Sequence, residues 1–100
     1  MRTEILAEAE AELTEAIGYY QEIEAGLGLR LKEEARAAIL WIENNHELPR
    51  LRPRGYQRVN LKVFPYYIAY FVWSDCIWIL AVAHGRRRPE YWLERKMKIS

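Results

Sequence analysis

Two apolar runs of eight residues, Tyr66–Trp73 and Cys76–Ala83, follow one another with only Ser74 and Asp75 between them. Few arrangements accommodate such a stretch. As one helix it approaches the length of a membrane span, and Asp75 would then sit at the bilayer centre, a cost of about 2.5–3.5 kcal/mol on insertion scales. As two strands turning at Ser74-Asp75 it makes a β-hairpin that is apolar on both faces and must be covered on both. The hairpin is the simpler reading, and no membrane association is expected. In a chain of 100 residues such a hairpin lies at the centre of a single domain, residues 1–100, because that length supplies one core and not two.

The cover for one face is written upstream. Arg2–Ala7 is short, with Ile5 and Leu6 as its large apolar side chains, and reads as an edge strand. From about Ala9 a helical period takes over, with Ala9, Leu13, Ala16, Ile17, Tyr20 and Ile23 at steps of three and four. Glu8, Glu10, Glu12, Glu15 and Glu22 fill much of the remaining surface, the first of them suiting the positive end of the helix dipole. Gly26-Leu27-Gly28 closes this helix. A second helix follows to about His46, with Leu31, Ala35, Ala38, Ile39 and Ile42 as its apolar stripe, and Asn44, Asn45 and Pro49 stop it. A connection this short makes the two helices antiparallel neighbours.

Downstream of a loop carrying Arg50, Arg52 and Arg54, the stretch Tyr56–Val63 alternates. Val59, Leu61 and Val63 share one face; Tyr56, Arg58, Asn60 and Lys62 share the other. Phe64-Pro65-Tyr66 breaks the alternation before the hairpin, and Gly85 ends the sheet. Arg86-Arg87-Arg88-Pro89 then leads to a short C-terminal segment, Tyr91–Lys98. The order β-α-α-β-β-β plus a tail predicts an α+β domain, an N-terminal helical hairpin packed on a mostly antiparallel sheet.

Composition narrows the function classes. With 51% apolar residues, disorder is excluded. The lone Cys76 has no partner for an internal disulfide, and Met1-Arg2-Thr3-Glu4 runs into a glutamate-dense stretch and not an apolar signal segment, so a cytoplasmic protein is expected. No zinc spacing or phosphate-binding glycine loop is present, and neither metal nor cofactor is expected. Charge is more telling. The net +1 divides into −7 for residues 1–48, with 4 basic and 11 acidic residues, and +8 for residues 49–100, with 11 basic and 3 acidic. A basic second half points to a polyanion or an acidic protein as partner.

Four patterns together resemble the RelE/ParE superfamily of toxins from type II toxin–antitoxin modules. They are Ala9-x-x-x-Leu13-x-x-Ala16-x-x-Tyr19-Tyr20, Gly26-Leu27-Gly28, Phe64-Pro65-Tyr66-x-Ile68-x-Tyr70 and His84-Gly85-Arg86-Arg87-x-Pro89-x-Tyr91-Trp92, spread in order over about residues 2–95. The resemblance implies a growth inhibitor neutralised by a cognate antitoxin in a toxin–antitoxin hetero-oligomer. It also implies one of two modes: RelE-type members cut mRNA on the ribosome, whereas ParE-type members poison DNA gyrase. The ribonucleases carry a basic cluster on the middle strands, a further Arg after the last strand and a Tyr in the C-terminal segment. Arg58 and Arg86 fall on two of those basic positions, Asn60 and Tyr67 stand where others would be, and Trp92 or Tyr91 falls on the tyrosine. With part of the cluster absent and the Phe-Pro-Tyr turn closer to the ParE-like branch, the gyrase-directed mode is favoured and RNA cleavage is the alternative. An inactive binding relative is the third reading.

Cleaving RNA through its own 2′-hydroxyl needs a base, an acid and cations at one place. The residues that would serve are Arg58, His84, Arg86 and Tyr91, since an imidazole titrating near about pH 6.5 can act as base or acid. The plainer role for His84 is to cap the strand end by hydrogen bonding. For contact with target or antitoxin the candidates are Arg58, Lys62, Arg86, Arg87, Arg88 and Trp92, the last by stacking on a base unless it packs the tail on the sheet.

Overall fold

The computed structural model describes residues 1–99. β1 (Arg2–Ile5) passes through Leu6 into α1 (Ala7–Ile23), and α2 (Leu27–Asn45) returns beside it. Then come β2 (Gln57–Asn60), β3 (Tyr66–Trp73), β4 (Cys76–His84) and a 3₁₀ segment, Leu93–Lys98. The strands form one sheet in the order β1-β4-β3-β2, with β1 parallel to β4 and the other neighbours antiparallel. This is the expected α+β arrangement, with the edge strand, helical hairpin and central β-hairpin in their expected places.

The core of the domain divides into two clusters, one on each apolar face of the β3–β4 hairpin. On one face Ile68, Tyr70, Ile77, Ile79 and Val82 pack with Ala9, Ala16, Leu31 and Ile42 of the helices. Each fully buried Leu or Ile contributes about 1.5–3 kcal/mol. On the other face Tyr67, Ala69, Phe71, Leu80, Ala81 and Ala83 are covered by Tyr56, Trp92 and, at the margin, Tyr91, Leu93 and Ile99 of the tail. No helix among the described residues is long and apolar enough to cross a membrane.

The turn between the long strands is tight: Ser74 (φ 53°) and Asp75 (φ 58°) are both left-handed, and Trp73 pairs with Cys76. Two positive φ values in a two-residue loop match the right-handed twist of the flanking strands. Further along, the register shifts: Tyr70 faces Ile79 but Ala69 faces Ala81, so Leu80 is an extra residue in β4. Such a bulge puts Leu80 and Ala81 on the same face and reverses the alternation beyond them. It decides where the end of β4 points.

Three details differ from the sequence reading. Gly26 is left-handed (φ 91°) but opens α2, while α1 ends at Glu24 in an extended conformation. The cap for α2 comes from α1: Gln21 Oε1 accepts the N–H groups of Gly26 (3.2 Å) and Gly28 (3.1 Å). At Gly28 the helices approach closely, since a Cβ there would lie 2.4 Å from the Ile17 carbonyl oxygen. The strand expected over Tyr56–Val63 is only four residues long, and Val63 is 65% exposed. It stops because the Glu34 carboxylate of α2 takes the N–H groups of Lys62 and Val63, and Phe64 turns into the helix-side core. Ile23, expected in the α1 stripe, lies exposed at the helix end.

Candidate functional site

The residues after β4 are set by short-range bonds. Gly85 N–H donates to the Pro65 carbonyl (2.8 Å), fastening the β4 end to the Phe64-Pro65-Tyr66 turn, and Arg87 N–H donates to the His84 carbonyl (3.1 Å). His84 Nδ1 accepts the Arg86 N–H at 3.0 Å, so the imidazole does cap the strand end, and in its neutral form it carries its proton on Nε2. The His84 and Tyr66 rings meet in a T-shaped contact, centroids 5.0 Å apart. Arg86, Arg87 and Arg88 are exposed.

These residues divide among separate hollows. Arg58 lies opposite Ala69 on the tail face and stacks its guanidinium 3.7 Å from the centroid of the Tyr67 ring. Its Nη2 donates to Asn60 Oδ1 (3.0 Å), and its Nε is shielded from solvent without a partner among the described residues. With Arg86, Gly85, Tyr66 and Tyr67 it lines a hollow of about 310 Å³. His84, carried to the helix face by the bulge, lines a separate hollow of about 380 Å³ with Tyr19, Tyr20, Arg87, Tyr91 and Glu12. Tyr66 borders both. The four residues considered for RNA cleavage are therefore brought together in pairs, Arg58 with Arg86 and His84 with Tyr91. Arg88 faces a third concavity beside Arg54, Glu90 and Lys96. Lys62 lies past the end of β2, in a groove along α2.

Tyr91 is more constrained than the sequence indicates. Its hydroxyl donates to Glu12 Oε2, and Arg87 stacks over its ring at 3.8 Å. Burial and the Glu12 carboxylate push the phenol well above its ordinary pKa, so it keeps its proton. Trp92 corrects an expectation. It is 1% exposed, donates its Nε1–H to the Tyr67 hydroxyl (2.9 Å) and meets Tyr56 edge-on at 4.6 Å. Packing against the sheet claims the ring that was a candidate for stacking on a base. The same turn buries Tyr56, whose hydroxyl donates to Glu90 Oε2 (2.8 Å).

By sequence Glu12 belongs with the surface glutamates of α1, but in the fold it is tied down. It accepts from Val82 N–H (3.1 Å), from Tyr91 and from both terminal nitrogens of Arg95 (3.0 Å each). No sequence signal separated it from Glu8, Glu10 or Glu15. Among the described residues no three His, Cys, Asp or Glu side chains converge as a metal site.

Residues 4–89 match the family model described as the ParE toxin of the type II toxin–antitoxin system parDE. Among solved structures, a chain of the chromosomal ParDE toxin–antitoxin system from P. aeruginosa superposes with a TM-score of 0.65 at 14% identity, covering 84% of this chain and 95% of that one. At that identity the likeness speaks for the fold. Comparison with curated proteins yields no match. The family match spans most of the chain, including both helices, the sheet and the Arg86–Arg88 run, and by it the chain belongs to the ParE toxin family of type II toxin–antitoxin systems.

Proposed function

We propose that the protein arrests growth by binding its target through the basic loop after β4, that DNA gyrase is this target, and that a cognate antitoxin holds the activity off. The observation that supports a binding mode over RNA cleavage is the separation made by the sheet. The Arg58 and His84 side chains lie on opposite faces of the sheet and line separate hollows, and the Tyr91 hydroxyl is committed to Glu12. A cleavage centre needs base, acid and cation within hydrogen-bond reach of one phosphodiester. An exposed triple-arginine loop needs no such convergence to grip a carboxylate or phosphate surface.

RNA cleavage on the ribosome stays as the second reading because Arg58 and Arg86 do line one hollow, with Arg58 Nε unpartnered beside it. Tightly controlled expression in a bacterial host separates the two. The gyrase reading expects arrest with intact transcript 5′ ends, loss of plasmid supercoiling and induction of DNA-damage signalling. New in-frame 5′ ends in translated messages, with supercoiling intact, overturn it in favour of cleavage. Unhindered growth at verified soluble expression overturns both. Replacing Arg86 and Arg87 together by Ala is expected to relieve arrest by about tenfold or more in plating efficiency, as loss of two charge-assisted contacts implies.

A further inference from the structure

We propose that the turns Arg52-Pro53-Arg54-Gly55 and Arg88-Pro89-Glu90 form one surface that binds the phosphate backbone of duplex DNA, independently of base sequence. Six of the chain's eleven arginines lie in residues 49–56 and 84–91, with Glu90 as the one carboxylate and no lysine among them. A guanidinium grips a phosphate through two N–H groups in a fixed plane, where an ammonium acts as a point charge. The two turns are distant in sequence but fastened together. Arg52 N–H donates to the Tyr56 carbonyl and Gly55 N–H to the Arg52 carbonyl, both at 2.8 Å. Lys96 Nζ, from the tail, donates to the Arg54 (2.9 Å) and Gly55 (3.1 Å) carbonyls. In the second turn Glu90 is left-handed (φ 60°), and Tyr91 N–H donates to the Arg88 carbonyl at 3.3 Å. The Glu90 carboxylate then joins the turns, accepting the Tyr56 hydroxyl at 2.8 Å and lying 3.8 Å from Arg54 Nη1. Turns held in this way present their arginine stems before any ligand arrives, which lowers the ordering cost of binding.

Arg54 and Arg88 line one concavity of about 630 Å³ together with Lys96. Arg52 lies close enough to the Tyr56 phenol for its charge to act there. Glu90 and Glu94 share the concavity, but Glu90 is too far from Arg54 for a hydrogen bond, so the guanidinium N–H groups stay open. Among the described residues Arg52 and Arg88 have no carboxylate partner. The character of the surface identifies the ligand. Trp92 is 1% exposed and Arg87 covers the Tyr91 ring, so neither aromatic of this stretch stands free to stack on an unpaired base. That favours a duplex over a single strand. A protein partner would need a desolvated anchor at the centre of the contact, and here the centre is charged and wet, with the Arg54 side chain 66% exposed. The helices that carry most of the carboxylates cover the opposite face of the sheet from the tail, so the field turns this side towards a polyanion. The inference is independent of the growth-arrest reading, and its measurement does not depend on toxicity.

The probe is a fluorescein-labelled DNA duplex of about 20 bp and arbitrary sequence, titrated with the full-length protein and followed by anisotropy. Contact with about three phosphates predicts a loss of about 40-fold in affinity between about 50 mM and 200 mM salt, alike for unrelated sequences. Replacing Arg54 and Arg88 together by Ala is expected to weaken binding by about tenfold or more at the lower salt and to reduce the salt slope by about two. Arg30→Ala with Arg36→Ala, at exposed positions of α2, removes the same charge elsewhere and is expected to leave binding within about twofold. Should the first pair unfold, Arg54→Gln with Arg88→Gln keeps most of each stem and carries the same test. The proposal is overturned by absence of binding at about 100 μM protein and the lower salt, or by a salt slope that the Arg54 and Arg88 changes leave intact. Equal loss from the α2 pair, or tighter binding of a single strand of the same length or of a polyglutamate peptide, also overturns it.

Discussion

In the second turn of α1, the Glu12 carboxylate ties three parts of the chain together: α1 presents it, β4 offers Val82 N–H, and the tail supplies Tyr91 and Arg95. Val82 lies beyond the residues that β1 pairs with, so its N–H faces the edge without a strand partner, and the carboxylate replaces one. Arg95 completes the repair by donating to the Leu80 carbonyl at 3.0 Å. The two charged side chains are only 15% and 17% exposed. Burial disfavours the charge on Arg95, but the Glu12 contact outweighs it and raises the guanidinium pKa further. Breaking such a pair leaves an uncompensated charge, so Glu12→Ala is expected to lose about 3 kcal/mol in urea unfolding. Arg95→Ala should cost a similar amount, and the double variant clearly less than the sum, because the two act as one unit. Strict additivity would contradict the shared role. This part of the molecule was illegible in the sequence: a glutamate at helical spacing among four others carries no mark of its tertiary partners. Trp92 was partly legible: an aromatic next to a basic run fits stacking on a base, but packing the tail on the sheet is the commoner outcome, and the structure shows that packing.

The elements themselves were largely legible, because hydrophobic period and turn chemistry are local properties. Ser74-Asp75 between two apolar runs located the hairpin turn, and helix stripes at steps of three and four located the helices. What alternation could not reveal is the extra residue at Leu80. Counted without it, His84 falls on the tail face with Arg58; with it, His84 joins Val82 on the helix face. One residue of register thus separates a plausible catalytic cluster from two half-sites. The four-residue β2 was equally hidden, because Glu34 ends it from 28 positions away. The turn supports its own prediction. Ser74 and Asp75 hold left-handed conformations that cost L-residues about 1–2 kcal/mol each, somewhat less for Asp. Asn at position 74 with Gly at 75 adopts them readily, so the double change Ser74→Asn, Asp75→Gly is expected to stabilise by about 1 kcal/mol. That corresponds to a rise of about 4–8 °C in Tm for a domain of this size. A lowered midpoint by calorimetry would show that the native side chains make contacts that outweigh the strain.

Across the whole molecule, the opposition of an acidic first half and a basic second half is partly an internal bond. Arg95 pairs with Glu12 and Lys98 with Glu8, so two tail cations are neutralised on α1, and the Lys98 contact draws the Glu8 carboxyl below its usual range. Those left for partners include Arg58 and Lys62 at the β2 edge, the three arginines after β4 and the loop arginines Arg50 and Arg52. The same closure of the tail and helices over the sheet buries a set of phenols, and this gives the fold a direction of pH sensitivity. Burial raises Tyr56, Tyr66, Tyr70 and Tyr91, helped at Tyr56 by Glu90 and at Tyr91 by Glu12. Tyr70, whose hydroxyl donates to the His46 carbonyl at 2.8 Å, is pushed up to about 12 by burial alone. A group whose folded pKa lies above its unfolded value holds its proton more tightly in the native state. Its stabilisation is therefore complete below about pH 10, where an unfolded tyrosine begins to ionise, and is lost as pH rises through the folded value. Stability measured by urea unfolding is expected to be level in this respect up to about pH 10 and to fall from there towards about pH 12. Lysines titrate in the same window, so the deciding measurement is a difference. Tyr70→Phe removes one proton-binding group and is expected to fall less steeply than the unsubstituted chain, the two curves converging as pH rises. Parallel curves across that interval would mean that Tyr70 ionises alike in the folded and unfolded chain.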